Sequence, residues 1–440
     1  MNETKLLTQP QVGGKRCHTR KPQPLPPIET IVAKGRGEVP IYGIYCWGID
    51  YEQFRSAIRG IGFRNIRTGG TGFTDDMFRM MNEDGLALMM TRGVWHGNKD
   101  KWANDEDWVQ ANIDSTLALL RRYGPNGSYF AEHPEVPYTP LTAVEVFNEP
   151  NFGYMIPDKS PIERKVELYT MLQVAEYQAA KAEFPDVKIV GFGAGGASAA
   201  DMGFVYKCIE KNPEVVQCMD IFSTHPYVDP RPPMTYFDWL PEHSIASAYQ
   251  NLTRAFAAHG RPDIPFWYTE LGWFIPPEIG GRFNSCHGGN DLLEQAAYNV
   301  QVYLLGMRLG VERITTMYIM DTDHCNPGFV DYDGTWRPAA HATRTLIDML
   351  PDPLLTGAIY DGEDSQTYAW RFESKVGGDE VIVAFSGLDA RTIDIPWNEP
   401  TARVTDMLGN TVVVDAVDGK LTLDIGIYPI YIRKPHIPEP

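Results

Sequence analysis

The sequence predicts an α/β fold, namely a (β/α)8 TIM barrel followed by a small C-terminal β-sandwich domain. Between residues 41 and 350, short apolar runs of strand type alternate with longer amphipathic runs of helix type, in eight repeats. After Pro351 the helical runs stop, and short alternating runs separated by turn signals such as Asp361-Gly362 and Asp418-Gly419 follow. We therefore divide the chain into an N-terminal arm (1–35), a barrel (36–351) and a β domain (352–440).

The predicted barrel strands are apolar runs bounded by turn residues. In chain order they are Ile41–Trp47, Asn65–Gly69, Ala87–Gly93, Ala143–Glu149, Lys188–Gly193, Met219–His225, Pro265–Glu270 and Ile314–Asp321. The clearest amphipathic stretches between them are Tyr51–Gly60, Asp107–Tyr123, Ile162–Glu183, Leu292–Leu309 and Pro338–Met349. No Gly-x-Gly-x-x-Gly turn follows the first strand, which argues against a doubly wound nucleotide-binding sheet.

Composition limits the classes of partner. The 440 residues include 57 acidic and 39 basic side chains, which give a formal net charge of −18. Because phosphate binding depends on Lys and Arg, we expect neither a nucleic-acid nor an anionic membrane partner. No apolar run is long enough to span a bilayer, and the Pro-rich segment 1–27 lacks the apolar core of a signal peptide. We expect a cytoplasmic protein or the mature form of a secreted one, with a flexible arm that adds at most a strand to the β domain.

Two predicted strands end on a carboxylate, Glu149 after the fourth and Glu270 after the seventh. A charge at the end of a buried strand is costly unless it is paired or used. In barrels of this type the active site lies at the carboxyl ends of the strands, so the two side chains should face each other across the mouth. Two such carboxylates are the minimal apparatus of a glycosidase. The structural alternative is that each glutamate pairs with a barrel arginine such as Arg67 or Arg92, and Glu145 is the better candidate for that role.

The segment Asn148-Glu149-Pro150 resembles the Asn-Glu-Pro motif of clan A glycoside hydrolases, and Thr269-Glu270-Leu271-Gly272-Trp273 is similar to the seventh-strand motif of that clan. The resemblance covers residues 41–350 and is nearest in pattern to families 39 and 5. It implies a retaining mechanism without cofactor or metal, in which Glu149 is the acid/base and Glu270 the nucleophile. It also implies that Asn148 binds the sugar 2-hydroxyl, and that Arg67 lies near the nucleophile.

Further residues extend the resemblance. His225 and Tyr227 match the His-x-Tyr after strand six, which implies a hydrogen bond to the nucleophile. Strand eight is predicted to end at Met320-Asp321, where many members of the clan carry a Trp, so Asp321 is our candidate for that position. Aromatic faces stack on sugar rings, and we expect this role for tryptophans at strand ends, with a hydroxyl contact from the histidine that follows one of them. These candidates are Trp47, Trp95, His96 and Trp273.

The predicted function is therefore a retaining β-glycosidase that hydrolyses an oligo- or polysaccharide. Two alternatives stay open at this point. One is a non-hydrolytic, carbohydrate-binding or transglycosylating barrel. The other is a metal-dependent barrel hydrolase built on the mirrored pairs Cys286-His287 and His324-Cys325. Those cysteines equally fit a disulfide or unbonded structural residues. The sequence leaves open the sugar, the linkage, endo or exo action, the role of the β domain and the oligomeric state.

Overall fold

The computed structural model of the protein describes residues 5–10, 20–22, 25–34, 41–69, 72–97, 101–196, 199–237, 244–276, 289–322, 325–362, 366–374 and 380–435. Cys286, His287 and His324 lie outside these ranges, so the proposed metal set is largely outside the described residues.

Eight parallel strands close into a barrel in which each strand pairs with its neighbours in chain order and β8 pairs with β1. Their bounds are β1 (Tyr42–Tyr45), β2 (Asn65–Gly69), β3 (Ala87–Arg92), β4 (Ala143–Val146), β5 (Lys188–Gly195), β6 (Ile221–His225), β7 (Phe266–Leu271) and β8 (Arg313–Thr316). The predicted barrel is thus confirmed. Strands β4 and β8 stop earlier than expected, at Val146 and Thr316, and both differences affect the site described below.

Helices connect the strands and pack around the barrel. Their bounds are α1 (Ile28–Lys34), α2 (Gly48–Ile61), α3 (Asp75–Glu83), α4 (Asp105–Tyr123), α5 (Ser128–Glu132), α6 (Ile162–Glu183), α7 (Ala199–Lys211), α8 (Ile245–Ala258), α9 (Leu292–Leu309) and α10 (Pro338–Met349). Helix α9 begins with a capping box of Asp291 and Glu294 and ends at Gly310, whose φ of 76° suits a left-handed cap. None of the described helices is long and apolar enough to cross a membrane.

The β domain contains a six-stranded antiparallel sheet and a two-stranded sheet packed on one of its faces. The strands are β9 (Pro353–Asp361), β10 (Thr367–Ser374), β11 (Glu380–Ser386), β12 (Arg391–Pro396), β13 (Thr401–Asp406), β14 (Thr411–Asp415), β15 (Lys420–Ile425) and β16 (Ile430–Arg433). Side chains alternate between the faces of a strand. Ala369 accordingly faces the small sheet, while Trp370 and Phe372 belong to the same apolar core as the barrel helices. The predicted β-sandwich is confirmed.

The arm contacts both parts of the molecule. The backbone N–H of Leu7 donates to Asp406 over 2.7 Å, and the Gln9 amide donates to the Tyr428 carbonyl over 2.9 Å, so residues 5–10 follow the β domain. The described strand of the arm, Arg20–Pro22, pairs instead with Thr235–Phe237 beside the barrel. The expected extra strand of the sandwich is therefore not found among the described residues of the arm.

Candidate active site

Glu149 reaches the barrel mouth through an irregular turn rather than as the last residue of a strand. After β4, Phe147 and Glu149 have φ values of 70° and 44°, a region that side chains other than Gly rarely adopt. The turn is fixed by hydrogen bonds from Phe147 N–H to the Arg92 carbonyl and from Glu149 N–H to the Gly193 carbonyl, over 2.6 and 2.9 Å. Our prediction that the fourth strand runs to Glu149 was wrong, because the backbone leaves the extended conformation after Val146.

The Glu149 carboxyl is nearly enclosed, with 7% of the residue exposed. Its Oε1 lies 2.9 Å from Nδ1 of His225, whose Nε2 lies 3.1 Å from the Thr269 hydroxyl. A Cβ on Gly195 would lie 2.5 Å from Cε2 of Phe152 and 2.6 Å from this same Oε1, so a larger residue would displace one or both side chains. Burial and the negative charge of Glu270 raise the pKa of Glu149, although the hydrogen bond from His225 opposes the change.

Glu270 lies at the end of β7 and accepts hydrogen bonds at both carboxylate oxygens. The Tyr227 hydroxyl donates to Oε1 over 2.8 Å, and Nη1 of Arg67 donates to Oε2 over 2.7 Å. The Tyr227 hydroxyl also contacts Sδ of Met317. Donors on both oxygens fix the carboxylate in one orientation and supply positive charge beside it.

Arg67 connects this carboxylate to a second, deeper one. Its Nε and Nη2 donate to Oε2 of Glu145 over 2.8 and 2.6 Å, and Nη2 also donates to Oδ1 of Asn148 over 2.7 Å. Thr91 and Ser223 donate to Glu145 as well, over 2.5 and 3.0 Å. Burial alone would raise the pKa of Glu145, but Arg67 in particular holds it below its ordinary value. The arginine pairing that we considered as the structural alternative is therefore found for Glu145 and also for Glu270, whereas Glu149 lies against His225.

The two candidate catalytic carboxylates lie close together. An oxygen of Glu149, an oxygen of Glu270 and a ring nitrogen of His225 all lie within 4.8 Å of one another. In the described part of the chain, these three side chains form the group whose ligand atoms are close enough to bind one metal ion. Arg67 donates to Glu270 and His225 contacts an oxygen of Glu149, so both carboxylates already have partners within the protein.

Aromatic side chains cover the β1–β8 side of the mouth. The Tyr45 ring lies over the Arg67 guanidinium, 4.8 Å from its carbon, and packs against Trp47 and Tyr318 at centroid distances of 5.1 and 4.8 Å. Because β8 ends at Thr316, the aromatic residue that follows this strand is Tyr318 and not a residue near Asp321. Sequence reasoning missed Tyr45 and Tyr318, and a shorter strand eight would have pointed to Tyr318.

Two residues expected to contact sugar form hydrogen bonds within the protein. Trp273 is 1% exposed, and its indole N–H donates to the Arg231 carbonyl over 2.8 Å, so neither ring face is open to a ligand. The Asp321 carboxylate is equally enclosed and forms a two-point pair with Arg337 over 2.9 and 2.7 Å. It also accepts the Gly328 N–H, which anchors the loop after β8. Trp273 is enclosed by the fold, which corrects our prediction for this residue. Asp321 is paired within the protein although it also lines a cavity, so its contact with sugar stays a prediction.

The remaining candidates occupy the rim. Trp47 and Trp95 are exposed by 38% and 50%, and Asn148 points to Arg67 as described above. His96 is half-buried, and its Nε2 lies 2.9 Å from Oδ1 of Asp105. This pairing already uses one ring nitrogen of His96 within the protein.

The state of Cys325 bears on whether the cysteines form a disulfide, are unbonded or bind a metal. This cysteine is disulfide-bonded, while Cys46, Cys208 and Cys218 are free and buried. The two other cysteines of the sequence, Cys17 and Cys286, lie outside the described residues. A disulfide sulfur cannot serve as a thiolate ligand, so the alternative metal site loses one of its four proposed ligands.

No family model matches the sequence, and no curated protein matches it either. Solved structures do match. A family 39 glycoside hydrolase from the gut symbiont Bacteroides cellulosilyticus aligns with a TM-score of 0.70 at 19% identity, over 93% of this chain and 83% of that one. A monomeric β-xylosidase from Caulobacter crescentus aligns with a TM-score of 0.58 at 15% identity, over 91% and 98% of the two chains.

A family 51 α-L-arabinofuranosidase from Bifidobacterium longum aligns with a TM-score of 0.56 at 12% identity, over 90% of this chain and 97% of that one. Identities this low establish the architecture and not the substrate, since one fold supports many activities. The chain therefore shares its fold, a closed eight-stranded barrel followed by a β-sandwich, with glycoside hydrolases.

Proposed function

We propose that the protein is a retaining glycosidase that cleaves β-linked oligo- or polysaccharides, with Glu149 as acid/base and Glu270 as nucleophile. The observation that supports this most is the approach of the two carboxylates, which have oxygens within 4.8 Å of each other. Retaining glycosidases hold their carboxyl groups about 5–5.5 Å apart, whereas inverting ones need about 6.5–9.5 Å to admit a water molecule.

The surroundings of the two groups support different roles. Glu149 is nearly enclosed and its pKa is raised, as suits a group that must hold a proton for the leaving oxygen. Glu270 accepts hydrogen bonds from Arg67 and Tyr227, which hold its carboxylate in one orientation for attack on the anomeric carbon. Pairs of titratable groups in contrasting environments are a usual sign of an acid and a nucleophile.

The reaction then has two steps. In the first, Glu270 attacks the anomeric carbon, the glycosidic C–O bond breaks, and the proton of Glu149 passes to the leaving oxygen. In the second, Glu149 accepts a proton from water, the resulting hydroxide attacks the anomeric carbon, and the ester bond to Glu270 breaks. Asn148, held by Arg67, is placed to meet a hydroxyl of the reacting sugar.

The test compares the wild type with Glu149→Gln and Glu270→Ala on aryl β-glycosides and on β-glucan, xylan, mannan and galactan oligomers. We expect both variants to lose activity, and EDTA to leave the wild type unaffected. With Glu149→Gln, added azide should replace the attacking water and yield the β-glycosyl azide. With Glu270→Ala, azide should replace the nucleophile itself and yield the α-glycosyl azide. Full activity in either variant, or loss of activity with EDTA, would contradict the assignment.

A further inference from the structure

A cavity of about 230 Å³ opens beside the catalytic pair, above β1 and β8. Its walls are largely aromatic, formed by Tyr45, Trp47, Tyr318 and Tyr332. The volume is below the roughly 300–1,000 Å³ of pockets for drug-sized ligands, so it suits a single sugar ring. Aromatic faces are well matched to the C–H faces of such a ring.

One wall of this cavity carries a carboxylate that the fold does not use. Asp50, in the first turn of α2, is half-buried. Its backbone N–H donates to the Trp47 carbonyl, but its carboxylate has no hydrogen bond or ion pair with a described residue. Asp321 also lines the cavity, but Arg337 binds its carboxylate. The described residues of the lining include no Lys or Arg. A half-buried carboxylate without a partner is costly, so its place in a cavity indicates that a ligand supplies the missing hydrogen bonds.

The cavity lies on the nucleophile side of the mouth. Tyr45 packs on Arg67, which binds Glu270, and Tyr318 packs on Tyr45. Glu149, in contrast, is contacted from β5 and β6, on the opposite side of the barrel. The leaving group occupies the side of the acid/base, so the cavity receives the part of the substrate that stays on the enzyme after the first step.

We propose that Asp50 is a specificity-determining residue, which binds two neighbouring hydroxyls of an uncharged sugar unit on the glycone side and excludes uronic acids. This inference rests on the proposed function, because the roles of Glu149 and Glu270 assign the cavity to the glycone side. It adds the class of sugar that is bound there. A carboxylate accepts hydrogen bonds from hydroxyls on both oxygens. The same negative charge repels the carboxylate of a uronic acid, for which the described part of the lining offers no cation.

The position of Asp50 also has a purely structural explanation, because an acidic residue near a helix N-terminus stabilises the helix. Asp107 provides a matched control. It is the third residue of α4, as Asp50 is of α2, and it is exposed and distant in sequence from the cavity residues. Asp50→Asn and Asp107→Asn therefore remove the same charge from the same helical position.

The experiment measures binding by calorimetry in the full chain carrying Glu270→Gln, which lacks the proposed nucleophile and therefore does not form a glycosyl-enzyme from the aryl probes. The probes are aryl β-glucosides, xylosides, galactosides and mannosides of one and two sugar units, and the aryl β-glucuronide. We expect Asp50→Asn to weaken the Kd of the best neutral probe by about tenfold or more, since charge-assisted hydrogen bonds are lost. Asp107→Asn should stay within about twofold, since only the helix-dipole contribution changes.

We further expect the glucuronide to bind at least about tenfold more weakly than the matching glucoside, and this difference to shrink in Asp50→Asn. Equal Kd values for the two Asn variants, tight binding of the glucuronide, or no binding of any neutral probe would each overturn the proposal. Because the readout is binding, a failure here is separate from a failure of the Glu149 and Glu270 assignments, which the activity and azide tests decide.

Discussion

The Arg67→Met substitution tests the arrangement beneath the active site. Arg67 is fully buried, and three of its hydrogen bonds end on carboxylates, two on Glu145 and one on Glu270. Met fills much of the same volume but leaves both glutamates without their cation. We expect a large loss of folding stability and a loss of activity, because Glu270 also loses one of its two donors.

The magnitude follows from burial. Glu145 has no exposed side-chain surface and Glu270 has 11%, so neither charge can recover much hydration. Summing about 1.5–3 kcal/mol for each charged hydrogen bond would overstate the loss, because Glu145 can take up a proton instead. Breaking a buried ion pair from one side costs about 3–5 kcal/mol, and we expect the free energy of unfolding at pH 7 to fall by that amount.

Urea unfolding at several pH values measures this effect, with the exposed neighbour Arg64→Met as control. The control should stay within about 0.5 kcal/mol of wild type. In the wild type, the lowered pKa of Glu145 gives stability that is present above the unfolded value of 4.5 and is lost as the pH falls through the folded value. The deficit of Arg67→Met should therefore shrink in acid. A deficit below about 1 kcal/mol, or one independent of pH, would refute the reasoning.

Three further predictions concern single residues. Gly195→Ala should lower kcat about tenfold or more with little change in Tm, because its Cβ would lie 2.6 Å from Oε1 of Glu149; unchanged kinetics would contradict the role of Gly195. The rate on aryl glycosides should fall as the pH rises through the raised pKa of Glu149, and any residual rate of Glu149→Gln should lack that basic limb. Burial raises the pKa of Glu176 to about 7, so wild-type stability should decrease between about pH 4.5 and 7, by about 3 kcal/mol, while Glu176→Gln should be much less pH-dependent in urea unfolding.

The sequence was sufficient for the barrel because burial on both faces makes each parallel strand a continuous apolar run. Helices α6, α9 and α10 begin and end where the amphipathic pattern does. The strand ends were less predictable. Apolar residues continue past β4 and β8 although the strands stop, because Phe147 and Ile319 are buried by loop packing rather than by strand pairing.

Some side chains of the site could be predicted from the sequence and others could not. It could be anticipated that Glu149, Glu270, Arg67, His225 and Tyr227 belong to one site, and the structure brings them together. Sequence could not separate an aromatic residue at the rim from one in the core, because Trp47 and Trp273 follow strands of similar pattern. Only the three-dimensional packing distinguishes them, with Trp47 partly exposed and Trp273 hydrogen-bonded inside.

The contact between Arg308 and the β domain has a consequence for dissecting the protein. Arg308 lies buried in α9, and its guanidinium donates to Asp361 of β9 and to the carbonyl of Pro26 in the arm. A fragment truncated near residue 351 would retain this cation in its interior and lose the carboxylate that neutralises it. The barrel is therefore not independent of the β domain, and exchanging the β domain between proteins of this architecture would require replacing Arg308 as well.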